Sequence, residues 1–185
     1  MKKWLSFIVL TTCLALAPAG PGQAAVDLED RAPEGVKVKS QSSSEPNQVD
    51  VLERLVNHSQ RSKLTEVVRK LRSYVGKTRY VFSGDTPLGW DCSGLVRWTY
   101  ENLGISLEHS ADKQQRSGTL VKKPLPGDIV AFGYGGGRSF YHTGIYIGNG
   151  KVLHAQRARG TFISRLDSPL FAGNKITFTR IIPNQ

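Results

Sequence analysis

The hydrophobic periodicity of this chain changes once, at Pro126-Gly127, and that change limits the folds open to it. Upstream, apolar residues recur at spacings of three and four. Val51, Leu52, Leu55 and Val56 form a short stripe. Leu64, Val67, Val68, Leu71, Tyr74 and Val75 continue it as far as Gly76, a helix stop signal. The pattern from Asp50 implies one core-packing helix or a broken pair. Residues 78–90 read as a loop, with Tyr80-Val81-Phe82 as a short extended piece. A second helix is expected to start at Asp91 or Cys92, with Leu95, Val96, Thr99, Tyr100 and Leu103 on one side and Gly104 at its end. Asp91 suits its N-cap. Downstream of Gly127, residues 128–132 form a strand and residues 133–139 a glycine-rich loop. Residues 142–148 and 151–156 form two strands joined around Asn149-Gly150, a strong hairpin signal. Residues 161–166 and 175–182 are further strands. Helices followed by an antiparallel sheet argue for an α+β domain, because a doubly wound fold would alternate the two.

The first 25 residues stand apart. Lys2 and Lys3 precede an apolar run over residues 4–16, and small, helix-breaking residues then lead to an A-x-A-like site at Ala24-Ala25. This is the pattern of a signal peptide, and the run is shorter than the ~20 residues a membrane span needs. The alternative is an uncleaved anchor. Cys13 follows Thr12 inside the continuing apolar run, so lipidation there is not expected. The expected product is secreted or periplasmic and associated with the cell envelope, with no stable membrane insertion after cleavage. Residues 26–49 contain Asp, Glu, Pro, Ser and Lys, with Gln41-Ser42-Ser43-Ser44-Glu45-Pro46 as a linker signature, and read as a disordered linker. Residues 50–185 then form one domain with an N-terminal helix, expected to be monomeric. The chain carries a net charge of +10, and loss of the two signal lysines leaves +10 − 2 = +8. That charge favours anionic partners, which outside the cell are wall polymers and anionic lipid. Nucleic acid would fit the charge, but neither the export signal nor the absence of a basic-aromatic motif supports it.

Signal removal leaves one cysteine, Cys92. It cannot form an internal disulfide, and an unpaired thiol outside the cytosol is open to oxidation, which favours a chemical role. Thiol nucleophiles need an accessible thiolate, a base within hydrogen-bond reach and a third polar group that orients the base. Cys92 lies in the first turn of the expected helix, where free N–H groups and the helix dipole favour an anion and lower the thiol pKa; Asp91 opposes this. Gly94 keeps the neighbourhood open. His142 and His154 lie on the hairpin, 154 − 142 = 12 residues apart. A two-residue Asn149-Gly150 turn would pair His154 with Ile145, facing away from His142. A three-residue Gly148-Asn149-Gly150 loop would pair it with Gly144, on the face of His142 and diagonal to it at ~7 Å. The second register is expected, since it also sets a small residue opposite His154. Cys92, His142 and His154 would then form a triad, with His154 holding the ring of His142. Spacing alone does not separate this set from a packing cysteine and two unrelated histidines.

Local sequence does more. Trp90-Asp91-Cys92-Ser93-Gly94-Leu95-Val96 resembles the D-C-S-G-L-V segment of the NlpC/P60 family of cysteine peptidases. Tyr80-Val81-Phe82-Ser83-Gly84-Asp85 is similar to the family's Y-V-x-G-G segment, with Ser83 where glycine is more usual. Residues 125–132 resemble its P-G-D strand, His142-Thr143-Gly144-Ile145-Tyr146-Ile147-Gly148 its H-V-G-I-Y-I-G strand, and Val152-Leu153-His154-Ala155 its I-H-A strand. Thr143 replaces the usual valine. The resemblance covers roughly residues 64–182. It implies a papain-like fold with the nucleophile helix packed on an antiparallel sheet. It also implies Cys92 as nucleophile, His142 as base, His154 as third polar residue, and no metal or other cofactor. The implied substrate is the peptidoglycan stem peptide, cut at the D-γ-glutamyl bond to a diamino acid. Tyr80, Asp91 and Ser93 would receive it. Asp91 is read either as a plain N-cap or as the partner of a free amine on the stem. The loop over residues 133–141 reads as a mobile lid or as slack, without the Gly-Lys-Ser/Thr of a phosphate loop. His109 and His58 are placed at the rim or surface. The rivals are an N-acetylmuramoyl-L-alanine amidase or a transferase on the same scaffold, and a non-catalytic wall-binding protein.

Overall fold

The computed structural model describes residues 47–183. Helix α1 spans Gln48–Arg72 without a break, and its N-cap is Asn47, whose side chain accepts a hydrogen bond from the Asp50 N–H at 2.9 Å. The helix therefore starts two residues before Asp50, where the periodicity placed it, with Asn47 as its cap. The expected signal peptide and most of the expected linker lie outside the described residues. Only the second half of α1 packs on the core, through Leu64, Val68 and Leu71. Val49, Val51, Leu52, Leu55 and Val56 are exposed, so the expectation of a core-packing helix fails for the first three turns. Among the described residues no helix is long and apolar enough to cross a membrane.

The elements expected from the sequence follow in order, with several short ones between them. A two-residue ladder pairs β1 (Asp85–Thr86) with β2 (Gly89–Trp90). Helix α2 covers Cys92–Glu101 with Asp91 as N-cap, and a short α3 covers Ala111–Gln115. The six-stranded sheet is built from β3 (Thr119–Leu120), β4 (Ile129–Tyr134), β5 (Phe140–Tyr146), β6 (Lys151–Gln156), β7 (Gly160–Arg165) and β8 (Asn174–Arg180), in the order β3-β8-β4-β5-β6-β7. Every pairing in it is antiparallel. The elements β1, β2, α3 and β3 carry too few residues to show a period, which is why the sequence did not announce them.

Alternation along the strands divides the core. Ile129, Ile145 and Leu153 pack with Leu95, Val96, Tyr100, Leu64 and Leu71 of the helices. Val130, Phe132, Val152 and Phe171 form a second cluster. Trp90 is fully buried, edge-on to Tyr74 at 5.4 Å, and its indole N–H donates to Thr161 Oγ1 at 2.6 Å. That bond ties the approach to α2 to β7. Asp128, also buried, accepts from the Leu125 N–H at 2.7 Å and from the Arg180 guanidinium at 2.7 Å, joining the start of β4 to the end of β8. The nine-residue glycine-rich stretch is sheet at both ends with a five-residue turn, residues 135–139, between them. Gly133 and Tyr134 end β4, Phe140 and Tyr141 begin β5, and the Gly137 N–H closes the turn on the Tyr134 carbonyl.

Candidate active site

The geometry begins at Asp91. Its Oδ1 accepts from the Gly94 N–H at 2.7 Å, which fixes the first turn of α2, and from the Ser93 hydroxyl at 3.0 Å. Its Oδ2 accepts from the Ser83 N–H at 3.0 Å. Ser83 reaches that carboxylate from a left-handed conformation, φ 57°, which a glycine would adopt at less cost. Gly94 lies against the Gly84 carbonyl so closely that a Cβ there would collide with it. The absence of a side chain is thus a requirement of close packing between α2 and the preceding loop, rather than a way of keeping space open.

His109 was expected at the rim, yet its Nε2 donates to Asp91 Oδ1 at 2.8 Å. Burial raises the Asp91 pKa, but the hydrogen bonds from Gly94, His109 and Ser93 outweigh it and hold the carboxyl below its ordinary value. Gln114, fully buried on α3, donates from Nε2 to the Ser93 carbonyl at 2.9 Å and to the Glu108 carbonyl at 2.8 Å. These two residues brace the start of α2 from a loop and a helix that carry no periodic signal. Only their side-chain chemistry could have drawn attention to them.

Cys92 is the first residue of α2. Burial pushes its thiol up to about 11, and the backbone N–H groups of Thr143, Ser93 and Cys92 itself pull in the other direction. The expectation of a thiol acidified by the helix start is therefore wrong for the free site, because desolvation outweighs the helix donors and Asp91 adds to it. The Thr143 contact places the sulfur beside the residue that follows His142. Tyr80 bridges to Trp90, and its hydroxyl pKa is raised by burial and by the nearby Cys92 and Asp91.

The hairpin register is the three-residue alternative. Ile145 pairs with Leu153 and Tyr146 with Val152, which puts Gly144 opposite His154. A Cβ on Gly144 would lie 2.8 Å from the His154 Cβ, so only glycine fits there. His142 Nε2 meets His154 Nδ1 at 2.7 Å, with the rings nearly perpendicular at 75°. His142 Nδ1 makes no hydrogen bond among the described residues. Phe132 lies 5.5 Å from the His142 ring and Phe162 4.3 Å from the His154 ring. Burial drives His142 down to about 4, and burial with the charges of His142 and Arg159 drives His154 down to about 3. At neutral pH the site therefore holds a thiol and two neutral imidazoles. Among the described residues no group of three or more His, Cys, Asp or Glu is placed to hold a metal ion.

A family model described as the NlpC/P60 family matches residues 76–180, more than half of the chain. The chain belongs to the NlpC/P60 family. It is 38% identical over 122 residues to the gamma-DL-glutamyl hydrolase of Bacillus subtilis strain 168, covering 64% of this chain and 29% of that protein. It is 36% identical over 141 residues to the murein DD-endopeptidase MepS/murein LD-carboxypeptidase of Escherichia coli strain K12, covering 74% and 72% of the two. The chain spans between 17% and 36% of the length of five curated relatives it matches, the gamma-DL-glutamyl hydrolase among them. Among solved structures, the peptidoglycan hydrolase RipB from Mycobacterium tuberculosis superposes with a TM-score of 0.57 at 28% identity, over 69% of this chain and 68% of that one. Such neighbours agree with the α+β, papain-like arrangement seen here.

Proposed function

We propose that this chain is a secreted cysteine endopeptidase that hydrolyses peptide bonds of peptidoglycan stems, at the D-γ-glutamyl bond to a diamino acid. The observation that carries the reading is the hydrogen-bonded His142–His154 pair. It leaves His142 Nδ1 unbonded, on the strand whose Thr143 N–H reaches the Cys92 sulfur. In this reading His142 takes the Cys92 proton and the sulfur attacks the amide carbonyl. With the thiol at about 11 and the imidazole at about 4, an ion pair is uphill in the free site, so proton transfer accompanies attack. The Cys92 N–H and the Tyr80 hydroxyl, kept protonated by its raised pKa, stabilise the oxyanion. His142 then protonates the leaving amine, and water activated by His142 releases the acid. Tyr80, Asp91 and Ser93 line the approach. Asp91 Oδ2 carries one hydrogen bond, leaving capacity for a free amine of the stem.

A second bond is supported by the relative named a DD-endopeptidase, of which this chain covers 72%. One experiment addresses both. Purified peptidoglycan is digested with the full chain and with Cys92→Ala, and products are identified by mass spectrometry. Stem fragments ending at D-glutamate, formed only by the intact protein, are the expected result. Resolution of cross-linked dimers into intact monomers would replace that bond with the DD bond. Equal digestion by Cys92→Ala would overturn the nucleophile.

A further inference from the structure

We infer that Ser164 is a positioning residue, the hydrogen-bond acceptor that fixes the tautomer of His154 and through it the proton-free nitrogen of His142. The inference rests on the proposed role of His142 as base. Ser164 pairs with Val152 and Phe162 with His154 in the β6–β7 ladder, so Ser164 and His154 project from the same face, one diagonal step apart. Ser164 Oγ lies 3.1 Å from His154 Nε2, and His154 Nδ1 lies 2.7 Å from His142 Nε2. The three groups form one line of hydrogen bonds leading away from the site.

That line can run in two directions, and they differ in chemistry. A neutral imidazole carries one proton, on one nitrogen. If Ser164 donates to His154 Nε2, the His154 proton sits on Nδ1 and points at His142 Nε2. His142 must then carry its own proton on Nδ1, and it cannot accept another from Cys92. If Ser164 accepts, the His154 proton sits on Nε2, and His154 Nδ1 accepts from the His142 Nε2–H. His142 Nδ1 is then a lone pair, ready to act as base. His154 is fully buried against Phe162, Phe132 lies beside the His142 ring, and both rings are held neutral, so the inner end of the pair is kept from water. A serine hydroxyl can rotate its own proton elsewhere and accept here. Phe162, the direct cross-strand neighbour of His154, packs on its ring but offers no acceptor. Ser164 is accordingly the group that selects the working direction.

The test combines spectroscopy with kinetics. The protein is labelled with 15N-histidine, and long-range 1H–15N correlations at pH 7 report the protonated nitrogen of His142 and His154. His142→Gln and His154→Gln identify the signals. The expected result is an Nε2–H tautomer for both rings. Ser164→Ala is expected to shift His154 toward Nδ1–H and to lower kcat/KM on peptidoglycan fragments about 10-fold, the upper end for one lost hydrogen bond. KM should barely change. Ser164→Thr, which keeps the hydroxyl, is expected to restore the tautomer and most of the rate. An Nδ1–H tautomer of His154 in the unmodified protein overturns the inference. So does an unchanged tautomer in Ser164→Ala, or a shifted tautomer with no change in rate. Should Cys92→Ala digest peptidoglycan as well as the intact protein, the proposed function fails instead, and the tautomers still decide the role of Ser164 in the pair.

Discussion

Burial governs the reactive groups. Cys92 would gain from the N–H groups at the start of α2, yet desolvation takes its thiol up to about 11. The rate of alkylation of the free protein by iodoacetamide should therefore climb with pH through 9 to 11. A plateau reached below neutral pH would instead reveal a preformed thiolate–imidazolium pair. The histidines act in the opposite sense on stability. Their folded pKa values lie near 4 and 3, below the ordinary 6.5. Their contribution is thus present above pH 6.5 and lost as the pH falls through the folded values, because the unfolded chain takes up protons first. For His142 alone this amounts to about 3 kcal/mol at most. Urea midpoints measured from pH 7 down to pH 4 should fall, and a His142→Gln/His154→Gln variant should lose most of that dependence.

At the level of elements, periodicity marks amphipathic helices but does not say how far the core extends. Helix α1 keeps one apolar stripe along its length, yet only Leu64, Val68 and Leu71 meet the domain. Leu64 is 1% exposed, whereas Leu55 is 60% exposed. Leu64→Ala should therefore cost about 2–5 kcal/mol, and Leu55→Glu should stay within about 0.5 kcal/mol. Chemical denaturation of both variants checks this contrast. If Leu55→Glu were equally destabilising, the first turns of α1 would have to be packed. The hairpin of β5 and β6 shows the reverse dependence, in which a local rule sets a distant geometry. The three-residue loop has Gly148, Asn149 and Gly150 all at positive φ. It fixes the register that brings His154 onto the face of His142.

Across the whole molecule, buried polar pairs connect parts of the chain far apart in sequence. Asp128 and Arg180 lie 52 residues apart and join two neighbouring strands. Arg61 lies 3.7 Å from the same carboxylate. Removing Arg180 leaves Asp128 buried with poorer compensation, so Arg180→Met should destabilise the domain by about 3 kcal/mol. Thermal unfolding of that variant measures the loss. An unchanged midpoint would mean that Arg61 moves in to satisfy Asp128. The Trp90–Thr161 bond plays a comparable part beside the site, linking residues 71 apart.

The amino-acid sequence by itself determined the order of elements, the nucleophile helix and its Asp91 cap, and the strands that carry His142 and His154. Each depends on local periodicity or on turn chemistry that a short window contains. Turn chemistry allowed two hairpin loops, and the small residue needed opposite His154 pointed to the three-residue loop, the register the structure adopts with Gly144 packed against His154. Tertiary structure alone decided the rest. His109 and Gln114 reach α2 from a stretch without a period, and Ser164 reaches His154 from a neighbouring strand. The sequence also pointed to an acidic thiol, because it displays the helix start but not the surroundings that bury it. Burial is a sum over side chains brought together from the whole fold, so no local pattern encodes it.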